Sequence, residues 1–489
     1  MKAEEKAGKV YAFDEAFSYL QHALKLLEEK EASLEQKAGV IEKLGDFKAW
    51  IGDTDACLEY WNKSLSLWNQ LGRKEKIADL NIRIANVFWD AIGDKEKASE
   101  HHNTALRILE KEPESVELAR LYENISHMLW RTGEIAKASL FVHKALELAE
   151  KFGNATIIAE CYNDLGGITE SIEESGKYLE KGLKIAIESN CMEPALRLFN
   201  NISIYYEAIG NVQKAVETRE KGFELGKKIG ETNSTSWIGR TLAQSYWNMG
   251  EVRKALAFLE ELLALGKRTK NNVGVAQATS MIGHIYQYLG EYDQSLQYLR
   301  EGYGIAKETK EYQTIAESAG MLGELLIEIE QYSEAEKYLN EGNNIYEKAG
   351  NTLYQSFMTL PFIARLHLKR GEIEKAKESI ERMSDIAAKE KFRVGILIAE
   401  MLKGMLFKEQ RNWEQSMQHF ERSLTECKSL DAQKWYVHWY ADNLYEYGST
   451  YVERNKRGDK EKARDLFNQT LEIFQKMGAK KDIEKWKQE

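Results

Sequence analysis

Proline is nearly absent, with three in 489 residues. A chain so poor in it has no proline-rich linker to set its domains apart. Cysteine is as scarce. Cys57, Cys161, Cys191 and Cys427 stand far apart and form no CxxC pair, so neither a zinc-ribbon spacing nor a disulfide framework is indicated. Isolated thiols suit a reducing compartment, and the cytoplasm is the expected location. No run approaches the roughly eighteen apolar residues of a membrane helix. The opening MKAEEKAGKV lacks a signal peptide's apolar stretch. No Lys/Arg block stands out and the net charge is −10, which disfavours a nucleic-acid partner. Alternating valine- and isoleucine-rich segments, the mark of strands, are missing too.

What remains is helical. Leu, Ala, Glu, Lys and Tyr recur at spacings of three and four, the period of an amphipathic helix. The chain is too long for one hydrophobic core, and it repeats. A small residue returns as Ala16, Cys57, Ala98, Ala138, Ser175, Ala215, Ala255, Ser295, Ala335, Ala376, Ser416 and Ala463, at intervals of 41, 41, 40, 37, 40, 40, 40, 40, 41, 40 and 47. Other positions travel with this marker. A glycine such as Gly133, Gly250 or Gly290 stands five residues before it, a large residue such as Leu259 or Leu299 four after, and another small one such as Gly302 seven after. Such regularity over the whole chain defines a repeat array.

Each unit reads as two helices and a tight turn. The glycine before the marker falls just past the first helix, where a left-handed cap costs glycine little. The small residues, with Gly283 and Gly302 among them, let helix backbones approach closely. One hairpin cannot bury its apolar face alone, so neighbours must stack. The expected fold is an all-α solenoid, a right-handed superhelix of about twelve hairpins. It is expected to comprise a partial repeat at 1–30, stacked repeats at 31–475, and a polar capping helix at 476–489. Two departures are visible. The unit around LGGITESIEESGKYL (Leu165–Leu179) is three residues short, and Pro361 falls inside a first helix, which it should kink or restart.

The segments IGHIYQYLGEYDQSLQYLREG and LGELLIEIEQYSEAEKYLNEG resemble the tetratricopeptide repeat (TPR) pattern of tryptophan, leucine-glycine, tyrosine, alanine, phenylalanine and alanine. The usual period in that family is about 34 residues. The longer period is similar to that of the repeat arms of MalT-like transcriptional activators, of cyclase-linked ATPases, of Pins/LGN-type adaptors and of peptide-sensing quorum regulators. The resemblance implies a protein-binding scaffold whose concave face, lined by first helices, holds a ligand. A ligand-sensing arm of a larger regulator is the alternative.

Ligand-contacting positions of the resembled family map onto Arg120, Asn124, His127, Trp130 and Arg131, and onto Glu160, Asn163 and Asp164. In the next units they are Arg197, Asn200, Asn201 and Glu207, then Trp237, Arg240, Gln244, Trp247 and Asn248, then Gln277, His284, Gln287 and Tyr288. Amides can pair with a peptide backbone in both directions, arginine grips carboxylates, and tryptophan offers a broad contact. Five units at about 10 Å each make a tract of about 50 Å, enough for about fifteen extended residues. The expected partner is a protein or peptide segment, with no direct nucleic-acid or membrane partner. Later units hold Glu317, Met321, Glu324, Glu328, Phe362, Met401 and Met405 at these positions. That surface would take an amphipathic helix or close on the chain itself.

Catalytic signatures are missing. There is no phosphate loop, no GxSxG elbow and no HExxH. His101 and His102 are adjacent and so point to different faces, with His102 at a core position. No metal, cofactor or catalytic residue is expected.

Overall fold

The computed structural model describes residues 17–29, 33–50, 53–169, 171–209, 211–230, 233–269, 271–390 and 392–479. Among them the regular elements are helices and none is a strand. The fold is an all-α solenoid of paired helices. Ala16 and residues 1–15 and 30 of the expected partial repeat, with residues 480–489 of the expected capping helix, lie outside the described residues.

One hairpin shows the construction. Its helices are Asn272–Tyr288 and Tyr292–Thr309. Gly290 lies between them at φ +76°. The Glu291 amide donates to the Tyr286 carbonyl at 3.0 Å, and the Gly290 amide to Gln287 at 3.0 Å. These two bonds satisfy carbonyls that the helix end leaves open. Where the repeat lacks glycine, Glu330 and Arg411 occupy the same position at φ 62° and 56°. The neighbouring bonds are kept, from Gln331 to Leu326 at 2.8 Å and from Asn412 to Phe407 at 2.9 Å. The turn thus overrides a conformational cost of about 1 kcal/mol at each of these residues.

The marker residue packs inside the hairpin. Ser295 is fully buried, and its hydroxyl donates to the Gly283 carbonyl at 2.7 Å. Ser175 and Ser416 do the same to Gly166 and Gly404, at 2.7 and 2.8 Å. A Cβ on Gly283 would stand 2.8 Å from Leu299 Cγ, and one on Gly302 would stand 2.8 Å from the Ser280 backbone nitrogen. Gly304 lies on the same helix but points away from this contact, and a Cβ there meets nothing within 4 Å.

Two alanine substitutions should therefore differ in sign. Gly304→Ala is expected to stabilise by about 0.5–1 kcal/mol through helix propensity, whereas Gly302→Ala should destabilise by about 1–2 kcal/mol because two backbones must move apart. Urea unfolding of both variants checks this, and equal shifts would refute the close-packing role.

The chain is broken at Pro361, as expected. Helices Thr352–Met358 and Leu360–Lys369 meet at Thr359, which has φ −133° and ψ −48°. The short unit has a first helix of 14 residues, Ala155–Ile168, against 17 in Asn272–Tyr288. The chain divides into two compact units. One comprises Met1–Asn201 with Leu265–Val273 and Glu308–Glu311, and the other Ile202–Ala264, Gly274–Lys307 and Tyr312–Glu489.

Candidate ligand-binding face

The expected site residues of the first unit lie on the first helices Val116–Arg131 and Ala155–Ile168 and on the part of Met192–Ala208 up to Asn201. Two of these helices start on side-chain caps, Ser115 accepting from the Leu118 amide at 3.2 Å and Asn154 from Ile157 at 3.1 Å. The site residues bond to one another from repeat to repeat. Glu160, buried, accepts from Arg120 at 3.3 Å and from Arg197 at 2.5 Å. Asn201 donates to Asn163 at 2.7 Å, and Asn200 to Asn201 at 3.3 Å. His127 Nδ1 lies 3.0 Å from Asp164 Oδ1, which also accepts from Trp130 Nε1 at 3.1 Å. The His127 and Trp130 rings meet edge to face at 5.8 Å. The Arg131 guanidinium lies over the Trp89 ring at 5.7 Å.

Polar capacity is left over. Asn124 Nδ2, Asn200 Oδ1 and Asp164 Oδ2 are buried with no hydrogen-bond partner. Glu123 is buried as well, and its carboxyl is raised well above the usual range, first by burial and then by Glu160 and Asp164, with Arg197 and Arg120 opposing. Burial disfavours the Arg197 charge, but Glu160 and Glu123 outweigh it and hold the guanidinium ionised.

The second unit is different. Arg240 stacks over Trp237 at 4.6 Å and lies 3.6 Å from Glu317. Gln244 donates to Asn248 at 2.9 Å, and Gln277 to Thr314 at 3.1 Å. His284 Nε2 is 3.0 Å from Glu324 Oε2, and the Tyr288 hydroxyl donates to the same carboxylate at 3.4 Å. Trp247 is 0% exposed. Its ring contacts Tyr288, His438 and His284, with centroids 4.8, 5.6 and 6.3 Å away. His438 belongs to helix Val437–Arg454. The His438 ring lies against Trp247 and Tyr288, two residues that sequence reading exposes to a ligand. Against the expectation of an open face, Trp247, Gln277 and Arg240 are buried, and so are Met321, Phe362, Met401 and Met405 of the later surface.

Beside this contact lies a cavity of about 140 Å³, lined by Tyr288, Glu324, Glu328, Arg365, Asp442 and Glu446 among others. Arg365 donates to Glu328 at 3.1 Å and lies 3.9 Å from Glu324. Lys408 donates to Glu446 at 2.8 Å. Burial raises the Asp442 carboxyl to about 7, with Arg365 opposing and Glu324, Glu328 and Glu446 adding to it. Burial pushes His438 down to about 3, helped by His284.

Sequence reading overlooks Glu123 and the pairing itself. The signal for the pairs is their separation. Arg120, Glu160 and Arg197 stand 40 and 37 residues apart, and His284, Glu324 and Arg365 stand 40 and 41 apart, which are repeat intervals.

The family model described as the tetratricopeptide repeat matches residues 37–111 and 274–348, so the chain contains tetratricopeptide repeats. Repeats of this kind form protein-binding scaffolds. No curated protein sequence matches this chain. Among solved structures, a Rap protein complexed with competence and sporulation factor is 14% identical, with a TM-score of 0.51 over 73% of this chain and 98% of that one. The apo quorum sensor NprR from B. thuringiensis is 14% identical, with a TM-score of 0.44 over 74% and 99%. A human IFIT1 dimer with m7Gppp-AAAA is 15% identical, with a TM-score of 0.41 over 81% and 90%. At this identity the likeness to the Rap protein concerns the fold alone. Among the described residues no helix is long and apolar enough to cross a membrane.

Proposed function

We propose that the chain is a non-catalytic scaffold that binds an extended protein or peptide segment along the first-helix face of its first unit. Arg120, Asn124, His127, Trp130, Asn163, Arg197, Asn200 and Asn201 are its contacts. One observation carries the reading. Asn124 keeps an unpartnered buried donor and Asn200 an unpartnered buried acceptor, on helices that also carry arginines and Trp130. A peptide group supplies the complement of both, and unmet buried polar groups are costly enough to favour it. The Rap protein in the similar structure holds a competence and sporulation factor, which is consistent with a ligand-bearing role for this fold. The second unit is not included, because its own helix covers Trp247.

The test is a displayed library of unstructured peptides selected against the full chain, with affinities measured by fluorescence anisotropy. Asn201→Ala and Arg197→Ala should each weaken the selected peptides by about tenfold or more, equivalent to about 1.4 kcal/mol. Lys184→Ala, on the exposed side of helix Ile172–Glu188, should change nothing. Unaltered affinity in the first two variants would remove this face from consideration.

A further inference from the structure

The column of the first unit contains an unbalanced cluster. Glu123 and His127 are four residues apart on helix Val116–Arg131 and so share a face. Asp164 comes from the neighbouring first helix, Ala155–Ile168. One donor atom from each of the three lies within 4.8 Å of the other two. Glu123 and Asp164 are buried, at 3% and 0% exposure. The nearby arginines are already engaged, since Arg120 and Arg197 both bond Glu160. A second observation points to a ligand. Asp164 Oδ1 is filled by His127 and Trp130, while Asp164 Oδ2 has no partner at all.

We propose that Glu123, His127 and Asp164 form a binding site for a divalent transition-metal ion of the Zn²⁺ class. Two carboxylate oxygens and one imidazole nitrogen suit such an ion. Bonds of about 2.0–2.2 Å put ligand atoms about 3.4 Å apart in a tetrahedral shell. Small side-chain rotations would close the cluster from 4.8 Å to this spacing, Asp164 turning its unpartnered Oδ2 to the ion. Trp130 Nε1 holds the outer side of Asp164 as a positioning group. Three protein ligands leave a fourth position for water. The competing account is a cluster neutralised by protons alone.

Metal binding needs no peptide, so its test is separate from that of the proposed scaffold function. The full chain is titrated with Co²⁺ and Zn²⁺ by calorimetry, with Co²⁺ also followed by visible absorption. The expected result is one ion per chain, a tetrahedral d–d spectrum and no sulfur-to-cobalt charge-transfer band. Glu123→Gln and Asp164→Asn should each weaken binding by about 100-fold or more. Both preserve shape, and thermal melting establishes that each is folded. Should Asp164→Asn not fold, Glu123→Gln and His127→Asn decide the matter. Absence of binding at millimolar Co²⁺, or equal affinity in wild type and folded variants, overturns the site.

Discussion

Replacing Trp247 by alanine is expected to destabilise the second unit by about 3–5 kcal/mol, the usual cost of emptying a large buried site. The side chain has no exposed surface and is ringed by Tyr288, His284 and His438. Removing it leaves a void between two helices far apart in the chain, and the cover provided by Val437–Arg454 should loosen. Trp247→Phe should cost much less, because it keeps most of the apolar volume and also removes an indole N–H that has no partner. Urea unfolding without any ligand measures both. Trp130→Ala provides the contrast, since Trp130 is only half-buried and should cost less than Trp247→Ala. A neutral Trp247→Ala would show that the ring is not enclosed, and would return it to the ligand-contacting set.

The second large effect is tied to pH. Arg365 faces Glu328, Glu324 and Asp442 across the cavity. Arg365→Met strands these carboxylates and should cost about 3–5 kcal/mol at pH 8. The cost should shrink at pH 5. There Asp442, raised to about 7, already carries a proton and needs no cation. The sign for Asp442 itself follows from the same shift. Its contribution to stability is fully present below the ordinary aspartate value and is lost as pH rises through about 7. Asp442→Asn stays neutral, so relative to wild type it should gain about 4 kcal/mol at pH 8 and less than half of that at pH 5, where only the first part of the rise from 3.8 to about 7 has been crossed. His438, held down at about 3, works in the opposite direction, its contribution fading as pH falls below the ordinary histidine value. Comparing each variant with wild type at the same pH cancels that background. Denaturation at pH 5 and pH 8 is the measurement, and an Arg365→Met loss that is the same at both would sink the electrostatic account.

The fold is readable from the sequence because its determinants are local and recur. The marker residues, the turn glycines and the Pro361 break each act within one hairpin, and a period makes them visible. The face is readable only partly. Family positions locate Arg120, Asn163, Arg197 and Asn201 on first helices, and there they are. What is not readable is which of these residues a ligand can reach. Trp247 sits at the same kind of position as Trp130, yet Val437–Arg454 covers one and not the other. That depends on a contact between helices almost two hundred residues apart in the sequence, as from Trp247 to His438, which no local pattern encodes. Glu330 and Arg411 make the converse point. They lack glycine's freedom but adopt the turn geometry because the hairpin on either side demands it.

Arg120, Glu160 and Arg197 run cation, anion, cation from one repeat to the next. Excising the copy that carries Glu160 would set Arg120 against Arg197. The copies are therefore not interchangeable beads.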